Sequence, residues 1–147
     1  MRWASYPTAS LNIGYVYDTP QPACASGETF GVGRLTKITD HSGSTVYCYN
    51  RFGDLVRKVQ ISNGRTFTLR HVFDAAGRMT GMVYPDGAAV DYVHDAQGRV
   101  TEVGVTSPGG TRQIVLGNAT YYPFGPVAEW VYGNGRAMKR SLNRNYQ

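Results

Sequence analysis

A short motif recurs four times along this chain of 147 residues. Each copy places two aromatic or histidine residues around a variable position and ends in an aspartate or asparagine. The copies are Tyr15-Val16-Tyr17-Asp18, Tyr47-Cys48-Tyr49-Asn50, His71-Val72-Phe73-Asp74 and Tyr92-Val93-His94-Asp95. In the last three copies a glycine follows three positions after the aspartate or asparagine, at Gly53, Gly77 and Gly98. The first copy has its counterpart at Gly33, which is displaced by an insertion. Such repetition indicates a repeat array, which constrains the fold more than any isolated motif does.

A second series of glycines lies between the motif glycines. Its members are Gly43, Gly64, Gly87 and Gly110. The pairs Asn-Gly, Asp-Gly and Gly-Gly in these segments supply the positive φ angles of tight hairpins. The runs between turns are rich in aromatic and β-branched residues, and at about six to nine residues they are too short for ordinary helices. Each repeat is therefore predicted to contain two strands.

The predicted fold class is all-β, an antiparallel meander of hairpins that forms one curved, twisted open sheet. Roughly ten to twelve strands are expected. We predict a single domain over residues 1–147 with a modest core, because 41% of the residues are hydrophobic and only 17% are charged. The approximate repeats are 11–40, 41–62, 63–84, 85–106 and 107–147, with a partial unit at the C-terminal end.

The acid or amide of the motif is predicted to form a turn. Its side chain can accept a backbone N–H two or three residues further on, and the glycine can adopt a left-handed conformation. A catalytic role for Asp18, Asp74 or Asp95 is not expected. Asn50 fills the same position, and an amide cannot replace a general acid or base.

The motif Tyr-x-Tyr-Asp-x-x-Gly-Arg-Leu, with Pro-Asp-Gly hairpins between copies, resembles the YD repeat of Rhs proteins. The same repeat occurs in insecticidal toxin-complex components, bacterial wall-associated proteins and teneurins. The resemblance covers nearly the whole chain: residues 122–135 are similar to a punctuating segment of Rhs cores, and residues 141–146 to the start of a further unit. The positions that match the repeat are Tyr15, Tyr17, Asp18, Gly33, Arg34, Tyr47, Tyr49, Asn50, Gly53, Phe73, Asp74, Gly77, Arg78, Tyr92, Asp95, Gly98 and Arg99.

The resemblance implies a structural role. In relatives the repeats form a β-shell that encloses a C-terminal toxin and helps to deliver it. The toxin is a polymorphic toxin that is secreted in competition between bacteria. Some ten to twelve strands would form only a panel of such a shell, so toxin cargo is expected only in a full-length parent. Further repeats, or self-association through sheet edges, are the expected partners. Autoproteolysis is not expected, because the sequence has no Asp-Pro-x-Gly-Leu signature.

The net charge of +5 does not indicate a nucleic-acid-binding protein. From Arg136 onward there are four basic residues and no acid, which leaves 11 basic against 10 acidic residues elsewhere. A short basic stretch is more often a solvated segment than a binding site. Arg34, Arg78 and Arg99 follow motif glycines and are predicted to be solvated or to pair with an acid across strands.

Neither a metal site nor a cofactor is predicted. His71 and His94 occupy aromatic positions of the repeat, and His41 lies in a hairpin turn. No ligand spacing typical of metal sites accompanies them. Cys24 lies in the insertion and Cys48 in a strand, and we expect both to be reduced and unpaired.

Enzymatic activity is not expected, because no Gly-x-Ser-x-Gly elbow, phosphate-binding loop or Cys/His couple is present. No apolar run reaches the length of a membrane span, and the first residues lack the apolar centre of a signal peptide. Localisation stays open. The chain could be cytoplasmic until export, or secreted or on the cell surface as part of a larger protein.

Two segments carry alternatives. Residues 20–29 form the insertion, which is either a surface loop that lengthens the first turn or a contact loop at the sheet rim. An aromatic cluster near the C-terminus either packs within the repeats or forms a ligand surface; its members are Tyr121, Tyr122, Phe124, Trp130 and Tyr132. The ligand interpretation gives the alternative function, a cell-surface or carbohydrate-binding module that recognises a glycan.

Overall fold

The computed structural model describes residues 2–123, 125–143 and 145, and these contain twelve strands and one short 3-10 helix, Ala9–Leu11. The first six strands are β1 (Arg2–Ala4), β2 (Ile13–Tyr17), β3 (Leu35–Asp40), β4 (Gly43–Tyr49), β5 (Leu55–Ser62) and β6 (Arg65–Phe73). The second six are β7 (Met79–Val83), β8 (Ala89–His94), β9 (Val100–Thr106), β10 (Arg112–Tyr121), β11 (Val127–Tyr132) and β12 (Ala137–Lys139). The predicted fold class, an all-β antiparallel meander of hairpins, is confirmed.

The chain divides into two compact units, one ending at Gly77 and the other starting at Arg78. In the first unit, β1 to β6 pair antiparallel in sequence order. Val46 of β4 lies opposite Val59 of β5, and Cys48 lies opposite Arg57. Val46, Cys48 and Val59 form the buried cluster of this unit. The core is therefore small and lies on one face of the central strands.

In the second unit, β7 to β12 also pair antiparallel in sequence order. Ala119 of β10 and Trp130 of β11 are its most buried apolar residues, with 7% and 8% exposed. The register between β10 and β11 shifts after Gly117, next to Asn118, which has a φ of 54°. Such a bulge changes the direction in which the following side chains point.

The hairpin glycines adopt the conformation that their sequences predict, with one shift of position. Gly64 and Gly87 have φ angles of 74° and 88°. In the Gly-Gly hairpin the left-handed residue is Gly109, with a φ of 68°, and Gly110 donates its N–H to the carbonyl of Ser107 at 2.9 Å. The left-handed residue therefore comes one position earlier than the glycine spacing suggests, while the closing hydrogen bond matches that from the Gly87 N–H to the Tyr84 carbonyl.

The expectation that the two cysteines are unpaired is wrong. Cys24 and Cys48 form a disulfide, with their Cα atoms 5.5 Å apart. The insertion folds back over β4, so that residues 24 positions apart in sequence become neighbours. Cys48 is only 1% exposed, and Cys24 packs against the same buried cluster. No helix in the described residues is both long and apolar enough to cross a membrane.

Candidate functional site

The repeat motif forms the same turn in successive copies. In the second copy, Gly53 donates its N–H to the carbonyl of Asn50 at 3.0 Å. The side-chain Oδ1 of Asn50 accepts the N–H of Phe52 at 2.9 Å and that of Asp54 at 3.0 Å. Gly53 has a φ of 93°, in the region that favours glycine. The amide of the motif thus holds the backbone of its own turn.

Aspartate does the same in the next two copies. Gly77 and Gly98 donate to the carbonyls of Asp74 and Asp95 at 3.0 and 2.9 Å. Their φ angles are 76° and 82°. The Oδ1 of Asp95 accepts backbone N–H groups from two residues of the turn, and the Oδ1 of Asp74 accepts one from Ala76. The bonds to Asp95 favour its ionised carboxylate.

The first copy builds its turn across the insertion. Asp18 has a φ of 67°, and its Oδ1 accepts the N–H of Gly33 at 2.7 Å. The N–H of Asp18 bonds to the carbonyl of Arg34 at 3.0 Å, just as Asn50 bonds to Asp54 in the second copy. Asp18 and Gly33 therefore stay bonded across the insertion, but here the glycine donates to the side chain of the aspartate and not to its main-chain carbonyl as in the other copies.

The hydrogen bonds of a fifth copy of the turn join Tyr122 to Gly125 and Pro126. The N–H of Gly125 bonds to the carbonyl of Tyr122 at 3.1 Å, and the N–H of Tyr122 bonds to the carbonyl of Pro126 at 3.1 Å. Tyr122 stands in the position of the aspartate, and Tyr121 in that of the second aromatic residue. Sequence reasoning missed this equivalence. Counting three residues back from Gly125, as from Gly53, Gly77 and Gly98, leads to Tyr122 and would have revealed it.

Arg99 makes contacts beyond its own turn. Its guanidinium lies 4.6 Å from the ring centre of Tyr121, in the next copy of the motif. The hydroxyl of Tyr121 donates to the carbonyl of Val100, the residue after Arg99, at 2.6 Å. One tyrosine therefore contacts two consecutive residues of the preceding repeat, through its ring and through its hydroxyl.

The same arrangement is present earlier in the chain. The guanidinium of Arg34 lies 5.6 Å from the ring centre of Tyr49, and the Tyr49 hydroxyl donates to the carbonyl of Leu35 at 2.9 Å. We call this set of contacts the repeat clamp: an arginine after a motif glycine, the carbonyl of the residue that follows, and the second aromatic residue of the next copy. Arg78 also reaches forward, to the carbonyl of Asp95 at 3.4 Å.

The clamp refines the sequence interpretation of the arginines. Arg99 does pair with an acid, since its Nε lies 2.7 Å from Asp95 Oδ2 within the same turn. The backbone N–H of Arg99 and this ion pair both hold the pKa of Asp95 below its usual value. In the fourth copy, therefore, one arginine both pairs with the acid of its own turn and contacts the next copy.

The insertion is fixed to the first unit by several contacts. Besides the disulfide, Glu28 forms a two-pronged ion pair with Arg57 of β5, at 2.6 and 2.8 Å. Hydrogen bonds from Arg57 lower the pKa of Glu28. The backbone of residues 28–30 runs beside Tyr49, with bonds of 3.1 Å from Tyr49 N–H to the Glu28 carbonyl and from Phe30 N–H to the Tyr49 carbonyl. The insertion thus covers part of β4.

The candidate ligand surface is mostly occupied by protein contacts. Trp130 is 8% exposed, with the guanidinium of Arg140 5.1 Å from its ring centre and Tyr132 packed edge-on at 5.9 Å. The Tyr122 hydroxyl donates to the carbonyl of Arg140 at 2.5 Å. Tyr132 is 43% exposed, and Phe124 lies outside the described residues. Trp130 therefore offers no open ring face for a sugar.

Elsewhere in the second unit, Arg112 links two acids. Its Nε lies 2.9 Å from each carboxylate oxygen of Asp91, and its terminal nitrogen contacts Glu102 at 2.8 Å. These bonds hold the pKa of Asp91 below its usual value. Within the part of the chain that the structure describes, no three His, Cys, Asp or Glu side chains lie together as metal ligands.

The RHS Repeat family model matches residues 49–89 and 73–112. These ranges contain the second, third and fourth motif turns described above. Over residues 49–112 the chain is similar to the RHS Repeat family. The matched residues include Asn50, Asp74 and Asp95 with their glycines, so the family pattern and the turn geometry coincide.

Solved toxin-complex structures share the fold. The crystal structure of TcdB2-TccC3 matches with a TM-score of 0.77 and 15% identity, covering 96% of this chain and 8% of that chain. The same complex without its hypervariable C-terminal region matches with a TM-score of 0.72 and 17% identity, covering 77% of this chain and 6% of that chain. A Photorhabdus luminescens Tc holotoxin pore matches with a TM-score of 0.73 and 14% identity, covering 96% of this chain and 8% of that chain. At such identities the likeness shows the fold alone, and the chain spans under a tenth of those chains. No curated protein matches the chain.

Proposed function

We propose that this chain belongs to the Rhs/YD-repeat family and is a structural segment of a β-shell that encloses a C-terminal toxin and helps to deliver it in competition between bacteria. The observation that supports this most is the repeat clamp. Arg99 and Tyr121 contact each other across consecutive copies of the motif, and Arg34 and Tyr49 do the same. A wall made of repeats requires contacts that pass from each repeat to the next.

The polar residues of the motif have structural partners, which supports a role without catalysis. Asp95 accepts two backbone N–H groups and pairs with Arg99. Asn50 performs the equivalent task in its own turn with an uncharged side chain. A general acid or base must exchange a proton near neutral pH, whereas the contacts of Asp95 favour its ionised form.

The proposed partners are further repeats, which would pair with the outer strands. β1 pairs with β2 and β12 with β11, and their opposite sides have no partner strand in the described residues. β12 carries Lys139, paired with Glu129 at 2.9 Å. Charged residues on an outer strand discourage indiscriminate pairing while leaving backbone groups available to a matching strand.

The test uses the complete product of the gene that contains this segment. We expect further YD repeats and a toxin domain in it, and we expect the toxin domain to resist added protease while the repeats are intact. Combined Gly77→Val and Gly98→Val substitutions should make the toxin domain sensitive, because they strain two motif turns. Equal protection in both proteins, or a gene without further repeats, would contradict the proposal.

A second candidate function is glycan binding, as a cell-surface module. Tyr132 borders a groove of about 990 Å³ in the second unit, which Glu102, Gln113 and Asn118 also line. An exposed aromatic ring beside amide and carboxylate groups is a suitable surface for a sugar. Binding on a glycan array that Tyr132→Ala abolishes and the exposed control Tyr84→Ala preserves would favour this function. Absence of binding would leave the shell proposal.

A further inference from the structure

The insertion, together with the three residues that follow it, is a strap held to the sheet by one covalent bond and several weaker contacts. We define the strap as residues 20–32. Its covalent attachment is the disulfide between Cys24 and Cys48 of β4. Its other attachments include the ion pair of Glu28 with Arg57 and the two backbone bonds to Tyr49.

The strap lies close to the most buried residues of the first unit. Cys48 and Thr36 are each 1% exposed. A Cβ atom on Gly31 would lie 2.5 Å from Cγ2 of Thr36, so the strap backbone approaches this threonine closely. Glu28 and Arg57 are themselves largely covered, with side chains 20% and 14% exposed. Detachment of the strap would therefore uncover residues that are now shielded from water.

We propose that the strap is a redox-controlled latch, closed when the disulfide is formed and released when a thiol reductant cleaves it. The reductant is a dithiol protein or a small thiol of the glutathione class. A thiolate attacks Sγ of Cys24, which is less buried than Cys48, forming a mixed disulfide while the Cys48 thiolate departs and takes up a proton. A second thiol then attacks the mixed disulfide. Cys24 is released as a thiol, and the two reductant sulfurs become a disulfide.

Loss of the disulfide affects the strap more than the sheet. The bond closes a loop with a sequence separation of 24 residues, and cleaving it restores the conformational freedom of that loop. The strands of the first unit remain paired by their own ladders, whereas the strap between residues 20 and 32 has no regular strand to hold it. Without the disulfide, water competes for the groups that form the Glu28–Arg57 ion pair and the two backbone hydrogen bonds of Tyr49.

The latch responds to the compartment. Disulfides persist in oxidising surroundings and are reduced in the cytosol. The strap is thus closed outside a reducing cytosol and opens inside one. Opening frees the backbone N–H and carbonyl of Tyr49 and the guanidinium of Arg57 for other partners. This inference does not depend on the toxin-shell function, because it concerns the strap alone.

Two Phe-Gly bonds allow a matched test by limited proteolysis with chymotrypsin. Phe30-Gly31 lies in the strap, and Phe52-Gly53 lies in the motif turn outside it; the phenylalanines are 46% and 68% exposed. In the full chain, reduction with dithiothreitol should raise the cleavage rate after Phe30 by about tenfold or more and change that after Phe52 by less than about twofold. Peptide mass mapping reports both rates. Equal rates after Phe30 in the oxidised and reduced chain would overturn the latch.

Variants separate the disulfide from the ion pair. Cys24→Ala with Cys48→Ala should reproduce the fast cleavage after Phe30 without reductant. Glu28→Gln keeps the disulfide and should remain protected until reductant is added. If the double variant fails to fold, the reduced wild-type chain supplies the same comparison. Free thiols in chain purified from an oxidising compartment, measured by alkylation and intact mass, would also overturn the proposal.

Discussion

The guanidinium of Arg99 lies 4.6 Å from the ring centre of Tyr121, although the two residues belong to consecutive copies of the repeat motif. The hydroxyl of that tyrosine also bonds to the carbonyl of Val100 at 2.6 Å. Arg34 and Tyr49 repeat the arrangement, with Leu35 as the acceptor. Tyr49 and Tyr121, each the second aromatic residue of its copy, are therefore points of attachment to the preceding repeat.

Tyr121→Phe should lower the free energy of unfolding by about 1 kcal/mol, because it removes one partly buried hydrogen bond and keeps the ring. Urea unfolding followed by circular dichroism measures the change. Tyr84→Phe is the control, since Tyr84 is 42% exposed and lies outside the clamp. A loss at Tyr84 as large as that at Tyr121 would show that the hydroxyl bond to Val100 is not what stabilises the repeat.

Gly77→Val and Gly98→Val should each cost about 1–3 kcal/mol, because valine disfavours positive φ angles. Among the described residues, apart from Gly77 and its two chain neighbours, none places an atom within 4 Å of a Cβ built on Gly77, so backbone strain is the expected cost there. At Gly98 a Cβ would lie 3.3 Å from Cδ of Arg78, and the cost should be somewhat larger. Gly77→Asn is the milder control, because asparagine tolerates the left-handed region. Unchanged melting temperatures for both valine variants would refute the turn assignment.

Glu28→Gln should destabilise the chain by about 1 kcal/mol at neutral pH, because it weakens a largely covered ion pair with Arg57. The folded-state pKa of Glu28 lies below its value in the unfolded chain, about 4.3. The stabilisation is therefore complete above that pH and disappears as the pH falls through the folded-state pKa.

Unfolding of wild type and Glu28→Gln at a series of pH values measures this effect. The difference between them should be constant above about pH 5 and shrink below about pH 4. Asp86→Asn is a suitable control variant, because Asp86 is an acid in a hairpin turn and does not pair with Arg57. A difference that grows on acidification would contradict the direction of the pKa shift.

Asp91→Asn should cost less than about 1 kcal/mol, because the Arg112 side chain it contacts is 38% exposed and solvent screens the pair. Glu102 still contacts Arg112 in the variant. The cost should fall further in about 1 M salt, where the screening length is roughly 3 Å. Thermal unfolding at low and high salt measures it, and a cost that is insensitive to salt would point to packing instead.

The strands and motif turns could be predicted because their causes are local. Asn50 and Gly53 are three residues apart, and the side chain and the left-handed glycine determine one turn between them. The hairpin glycines act in the same way. The alternation of such turns with β-branched and aromatic runs is sufficient to predict an antiparallel meander.

The contacts that attach one segment to another could not be predicted in the same way. The Cys24–Cys48 disulfide depends on the path of the insertion, which spacing does not encode. The partner of Arg99 was hidden because Tyr121 belongs to a copy whose aspartate position is occupied by Tyr122. Burial of Trp130 likewise depends on Arg140, which follows it by a strand and a turn.

A double-mutant cycle between Arg99 and Tyr121 tests the claim that motif residues join consecutive repeats. Arg99→Met keeps the aliphatic stem and removes the charge, and Tyr121→Leu removes the ring. The free energies of unfolding of the wild type, the two single variants and the double variant, measured in urea, should give a coupling energy of about 0.5–1 kcal/mol. The cycle of Arg34→Met with Tyr49→Leu should agree. Coupling energies indistinguishable from zero at both pairs would contradict the account.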